Sequence, residues 1–345
     1  MAQTAPNHPT APTDWAVVST VREPAVLVLA FACHHLTLGA QRIHLFFDNP
    51  EDPAAEVLAR VPGVEVTLCD AAHWAQFGAP RANYQTRRQT LNANLVVAQE
   101  AAAGRATWLL HADADEFLWA PDGIAAEIPK DQDRLHLPNI ERCWTSADAQ
   151  LFGTTFRARV KGRATSRRIH GDTAQYLSGG LSGHSSGKAM MRCGSTGFLG
   201  IHMVRDKRGG RDLTHATASR ARILHFDGLT PRHWALKTLR YASRPGTLHH
   251  MLHPARRRAV DRILAADEPL TEALALDEAM FRLSLVRAAQ LTGLGALGEF
   301  PLDLAGAIRA HAPGATVDLS AAAFDALHED ELQALNTQLK RKRPS

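Results

Sequence analysis

The chain has 345 residues, 45% of them apolar and 21% charged, enough to bury one large or two modest cores and too apolar to be disordered as a whole. Its formal charge of +4 and pI near 9.0 suit an anionic small molecule or an acidic surface. No interleaving of aromatic and basic residues marks an RNA-binding surface, so nucleic acid is not an expected partner.

Residues 1–13, rich in Pro, Thr and Ala, lack the basic start and apolar core of a signal peptide and read as a floppy leader. Residues 15–20 form a short apolar strand, after which Val21-Arg22-Glu23 lead to Pro24, a residue favoured in the first helical turn. The helix that follows is predicted to reach about Leu38, with Gly39 as its left-handed terminator. Its apolar stretch, residues 25–33, is far short of the ~20 residues of a membrane span, and His34 and His35 cap or pack at its end.

Residues 42–47 form a second strand ending in Asp48-Asn49, and Asp52-Pro53 opens another helix. Residues 64–68 make a third strand ending at Asp70, and a long helix over residues 84–103 stops at Gly104. The fourth strand runs into Trp108-Leu109-Leu110-His111-Ala112-Asp113-Ala114-Asp115-Glu116-Phe117-Leu118. Strands alternating with helices imply a parallel α/β sheet that gathers Asp48, Asp70 and Asp113 along one edge. The first crossover lacks a Gly-x-Gly-x-x-Gly turn, which disfavours a dinucleotide enzyme.

Beyond residue 133 the alternation stops. Residues 135–138, 155–160, 188–192, 198–204 and 223–226 read as shorter strands of mixed direction between Gly-rich and basic loops. Arg157, Arg159, Lys161, Arg163, Arg167 and Arg168 form a dense cation run, either a solvated strand and loop or a surface for an acidic acceptor or membrane. After Thr230-Pro231, helices are predicted over residues 232–242, 255–265, 271–292 and 321–339. The terminal Lys340-Arg341-Lys342-Arg343 is a frayed end or a contact for anionic lipid. Cys33, Cys69, Cys143 and Cys193 show no close pairing and read as reduced thiols of a cytoplasmic protein rather than as a zinc site.

In open α/β sheets ligands bind beyond the carboxyl ends of the strands, where the acids of the fourth strand lie. Side chains two apart on extended chain share a side, so Asp113 and Asp115 can converge on one hard cation bridging a diphosphate. Asp is common in surface turns too, but Glu116-Phe117-Leu118 returns at once to apolar sequence. A third ligand must come from a distant strand. His225, at a strand end before Asp227-Gly228, is the first candidate and His202 the reserve, although histidines in apolar strands are commonly satisfied core residues. The loop Ser178-Gly179-Gly180-Leu181-Ser182-Gly183-His184-Ser185-Ser186-Gly187-Lys188 falls short of a phosphate-loop motif in glycine spacing, and Ala189 replaces its hydroxyl residue. Lys188 is a diphosphate contact or a plain surface lysine at the head of a strand.

These motifs together resemble a family 2-like glycosyltransferase of the bacterial subgroup with an Asp-x-Asp-Glu-Phe-Leu motif. The resemblance rests on Val21-Arg22-Glu23-Pro24, on His34-His35-Leu36-Thr37-Leu38-Gly39 leading to Leu45-Phe46-Phe47-Asp48-Asn49, and on residues 108–118, roughly the first third of the chain. It implies a GT-A (Rossmann-like) α/β fold, a mixed sheet flanked by helices, here with a C-terminal helical extension. It further implies that Glu23 and Asp48 contact the nucleotide donor, and that Asp113 and Asp115 hold Mn²⁺ or Mg²⁺ on the donor diphosphate. His225-Phe226-Asp227-Gly228 is similar to a His-Phe-x-Gly motif supplying a metal-binding histidine in another GT-A family, although Pro231-Arg232-His233-Trp234 replaces the Lys-Pro-Trp that follows there. Where the family has Lys-Asn-Glu after its first strand, this chain has Val21-Arg22-Glu23.

The expectation is a metal-dependent glycosyltransferase moving a sugar from a nucleotide-diphosphate donor to a glycan, lipid or protein hydroxyl, with inversion and with its catalytic base unassigned. It is expected in the cytoplasm, with peripheral contact at the inner face of the membrane. Residues 14–120 would form the nucleotide-sugar half, 121–229 the mixed-sheet acceptor half of the same domain, and 230–345 the helical extension. The alternatives are a non-catalytic nucleotide- or sugar-binding module and a phosphoryl-transfer enzyme. In the latter, however, the Asp pair sits on the first strand and Thr or Val follows it.

Overall fold

The computed structural model describes residues 14–78, 80–145, 151–206, 213–243 and 252–341. The expected leader and the last cations of the tail, Lys342 and Arg343, lie outside the described residues. The first third alternates as expected through β1 (Trp15–Val21), α1 (Ala25–Thr37), β2 (Arg42–Phe47), α2 (Ala54–Leu58), β3 (Val64–Leu68), α3 (Ala71–Ala75), α4 (Gln85–Ala103) and β4 (Trp108–His111). The middle holds β5 (Glu116–Trp119), β6 (Arg134–Leu137), β7 (Asn139–Arg142), β8 (Thr155–Arg157), α5 (Arg163–His170), β9 (Lys188–Arg192), β10 (Phe198–Leu199), β11 (Val204–Arg205), β12 (Ala216–Thr217) and β13 (Arg222–His225). Last come α6 (Pro231–Ala242), α7 (Pro254–Ala265), α8 (Pro269–Phe281), α9 (Leu285–Gly293), β14 (Leu297–Glu299), α10 (Leu304–His311), α11 (Ala321–Ala326) and α12 (Glu329–Arg341).

The chain is thus a mixed α/β protein whose sheets are flanked by helices. Among the described residues, seven strands form one sheet in the order β12-β6-β9-β4-β1-β2-β3. Only β9 runs against the others, pairing antiparallel with both β4 and β6. Every residue of β1 is buried, the pattern of a central parallel strand covered on both faces. Val17 and Val21 join the core under α1, α2 and α10, while Ala16 and Val18 join the opposite core under α3 and α4. Gly104 ends α4 at φ 61°, the left-handed turn expected there.

A second sheet, β14-β8-β7-β13-β5, stands beside the first. The chain passes between the two through residues 112–115, from β4 to β5, so the acidic motif occupies the join. The helical C-terminal part packs back on both layers, because α10 lies on α1 and β14 pairs with β8.

Several local expectations are corrected. Asp70 is not a third acid at the ligand edge; its carboxylate accepts the His73 N–H at 2.8 Å as the N-cap of α3. The cation run is not strand and open loop throughout, since residues 163–170 form α5. The helix expected over residues 271–292 is broken at Leu283, whose N–H donates to the Trp144 carbonyl at 2.8 Å, and Ser284 caps the next helix. That over residues 321–339 is broken at Leu327-His328. Among the described residues no helix is long and apolar enough to cross a membrane.

Candidate active site at the join of two sheets

The strand order reverses between β1 and β4, and the carboxyl ends of adjacent strands at such a point leave a crevice for a ligand. Asp113 and Asp115 follow the end of β4, and Glu116 opens β5. The Asp113 carboxylate accepts from the Gln89 amide at 2.5 Å and from the Lys188 ammonium at 2.6 Å. Lys188 also meets Glu116 at 2.8 Å, and Glu116 closes the turn by accepting the Asp113 N–H at 2.8 Å. Asp115 accepts from Lys237 of α6 at 2.5 Å. The two Asp side chains are therefore held by separate cations rather than by one shared partner.

The histidines arrive through the register of the second sheet. In β13, His225 pairs directly with Glu116 of β5 on one side and with Glu141 of β7 on the other, and Glu141 in turn pairs with Arg157 of β8. Side chains in one cross-strand row share a face, which puts Glu116, His225, Glu141 and Arg157 in a buried polar file. The fully buried Glu141–Arg157 ion pair, at 2.7 Å, anchors the Gly-rich loop above it, since Glu141 also accepts the N–H groups of Ser182 and Gly183 at 2.8 and 2.7 Å. The Asn139 side chain accepts the Gly187 N–H at 3.0 Å. These backbone donors are thus tied within the fold and leave the loop no phosphate cradle at those positions. What the loop presents instead is His184, whose Nε2 lies 2.7 Å from Glu116.

Glu116, His184 and His225 place one ligand atom each within 4.8 Å of one another. His225 Nε2 is also 3.9 Å from the Asp115 carboxylate. The Nδ1 atoms of both histidines are buried without a hydrogen-bond partner among the described residues. Unpaired buried imidazole nitrogen is costly, and two imidazoles with carboxylate neighbours form a donor set that suits a divalent transition ion. These residues fit a metal. A Cβ on Gly183 would meet His225 Cε1 at 2.2 Å, so only glycine permits this approach of loop to ring.

Three carboxylates, Asp113, Asp115 and Glu116, face two ammonium groups, Lys188 and Lys237, leaving one negative charge for a cation to meet. Burial works to raise the Glu116 carboxyl, but the Lys188 charge and the His184 hydrogen bond hold it well below the ordinary range. Asp113 is lowered against the same opposition, chiefly by Lys188. Burial would lower the Lys188 ammonium, yet Asp113 and Glu116 raise it above the usual lysine value. Burial, followed by the Lys188 and His184 charges, pushes His202 down to about 3 and keeps it neutral.

Of the expected site residues, the fold brings Asp113, Asp115, Lys188 and His225 together. His202 stands at the edge, its ring 4.3 Å from that of His184 and its Nδ1 3.0 Å from the Gly187 carbonyl. Lys188 is neither a surface lysine nor open to a ligand; its side chain is fully buried and engaged with two acids. Asp48, at the end of β2, is held by Arg88 at 2.7 Å and Arg81 at 2.8 Å. Glu23 meets His233 at 3.4 Å, and its charge, like that of Asp115, acts on Lys237. Burial opposes its ionisation, but His233, with Lys237 and Arg240, brings its carboxyl down to about 2. Glu23 also lines a cavity of about 1320 Å³ between α1, α2 and the 310–318 segment, which none of Asp48, Asp113 and Asp115 reaches.

Sequence reasoning missed Glu116, His184 and Lys237. For His184 the signal was its place in a Gly/Ser loop, four residues before β9 begins at Lys188. Lys237 carries no local signal beyond following His233 by one helical turn.

No protein-family model matches the chain, and no curated protein matches it either. Among solved structures it is similar to the crystal structure of HddC from Yersinia pseudotuberculosis, at 11% identity over 62% of this chain and 93% of that one, with a TM-score of 0.31. A likeness of that size carries no argument about function.

Proposed function

We propose that this chain is a metal-dependent glycosyltransferase of GT-A type, taking a sugar from a nucleotide-diphosphate donor to an acceptor hydroxyl with inversion. The observation that carries the reading is the meeting of Asp115, from the end of β4, with His225, from the end of β13, at 3.9 Å and beside Glu116 and His184. Asp115, His225, Glu116 and His184 would hold the cation, and the imidazoles favour Mn²⁺ over Mg²⁺. Bound there, a divalent ion supplies positive charge to the departing diphosphate.

The chain's own groups do the rest. Asp113, fixed by Gln89 and Lys188, completes the acidic edge. Asp48, kept ionised by Arg88 and Arg81, accepts hydrogen bonds from the base or ribose. The base that deprotonates the acceptor is unassigned.

The test is release of nucleotide diphosphate from a panel of nucleotide sugars by purified protein, with and without chelator. Turnover that needs metal and vanishes in Asp115→Asn supports the reading. Turnover indifferent to chelator removes the metal, and binding without turnover leaves a sugar-nucleotide-binding module.

A further inference from the structure

Apart from Arg157, the basic run faces away from the acids, on α5 and the loop that leads into it. From Leu151 to Gly171 the chain has six Arg or Lys residues and neither Asp nor Glu. Arg157 is buried against Glu141, but Arg159, Lys161, Arg163, Arg167 and Arg168 are exposed on α5 and the loop leading into it. None of these five side chains has an ion-pair or hydrogen-bond partner among the described residues. Beside α5 packs α9, and the two share a small core of Val160, Ile169, Leu283 and Leu291. The first turn of α9 holds Leu285 and Val286 out in solvent, 85% and 67% exposed. No acid occurs between Ser284 and Ala296 either.

We propose that the face formed by α5 and the start of α9 docks on an anionic lipid surface, its arginines on the head groups and Leu285 and Val286 inserted below them. The cations supply complementarity to a negatively charged surface, and bare aliphatic side chains next to unpaired cations fit a membrane interface better than the polar rim of a protein partner. Arg287, in the same turn of α9, adds a cation beside the aliphatic pair. A glycosyltransferase so held would meet acceptors in the plane of the bilayer, but the docking face is separate from the acids and does not depend on that activity.

The experiment is co-sedimentation of the full chain with phosphatidylcholine vesicles and with vesicles of equal parts phosphatidylcholine and phosphatidylglycerol. Binding is expected only to the anionic vesicles and is expected to fall as salt rises. The triple variant Arg163→Gln, Arg167→Gln, Arg168→Gln should lose roughly a hundred-fold in partition, about five-fold per charge. The pair Leu285→Ser, Val286→Ser should lose roughly ten-fold or more by removing inserted aliphatic surface. Because all five positions are exposed, folding is checked by circular dichroism and is expected to be unchanged. Equal binding to neutral vesicles, or full binding by the arginine variant, which would point to the C-terminal tail, overturns the proposal. So does unchanged binding by the serine pair together with tight binding to polyglutamate, which would mark a surface for acidic protein.

Discussion

His225 and Glu116 are register partners on adjacent antiparallel strands, and that pairing brings a histidine from late in the chain to the acids that follow β4. Since one register step would turn His225 to the opposite face, the candidate metal site depends on strand pairing as much as on residue identity.

Mn²⁺ binding is expected to follow this geometry. His225→Ala and His184→Ala should each weaken Mn²⁺ affinity by roughly ten- to a hundred-fold or more, as loss of a ligand or its close support does. Electron paramagnetic resonance titration of free Mn²⁺ gives the comparison. If His202→Ala weakened binding and His184→Ala did not, the ligand set would be wrong.

Lys188→Met should destabilise the fold by about 3–5 kcal/mol, because it strips the cation from a buried carboxylate pair. Glu116 is fully buried and Asp113 partly so, and among the described residues neither has another cationic partner at ion-pair distance apart from His184 on Glu116. Urea unfolding would measure it, and a loss below about 1 kcal/mol would mean that the acids are neutralised by protonation instead.

Gly183→Ala tests the contact between loop and ring. With a Cβ at 2.2 Å from His225 Cε1, the imidazole must move, and overpacking of this kind costs about 1–3 kcal/mol. Metal affinity should fall with it. Wild-type affinity in a stable Gly183→Ala protein would show that the ring has room to shift without leaving the site.

Stability is expected to drop in mild acid. His34 donates from Nε2 to the Leu118 carbonyl at 2.7 Å, while His35 bonds the Phe31 carbonyl through Nδ1 and accepts the Leu118 N–H at Nε2, so both rings tie α1 to β5. Burial lowers His34 to about 4 and, with the His34 charge, His35 to about 3. The unfolded chain therefore takes up protons first: stability is full above about pH 6.5 and is lost as pH falls towards those values. Each ring contributes a slope of about 1.4 kcal/mol per pH unit, and His34→Gln, which keeps a donor, should flatten the profile in chemical denaturation. A flat wild-type profile between about pH 7 and pH 5 contradicts the assignment.

The parallel half was legible because short apolar-rich strands alternate with helices that glycines terminate, and residues 42–47 and 64–68 carry the expected bounds. In the mixed half the rule inverts. Asn139-Ile140-Glu141-Arg142 looks like loop, yet it is a fully buried strand, because Glu141 and Arg142 meet partners supplied by distant residues such as Arg157 and Leu229. The same cause hid Glu116 and the burial of Lys188: a charged side chain reads as exposed until its counter-ion, tens of residues away, is known. His225 was legible from its strand end, whereas His184 depends on how Glu141 pins a loop.

The ion pair between Lys237 and Asp115 spans 122 residues, and Arg256 on α7 holds Asp227 beside His225. As the chain leaves the ribosome, β4 and its acids emerge long before the helices that neutralise them. Until α6 docks, Asp115 lacks its counter-charge, so the nascent first half carries a crevice that is electrostatically open and the finished site is a product of late closure. The order of synthesis thereby makes completion of the C-terminal helices the event that sets the charge at the acidic edge.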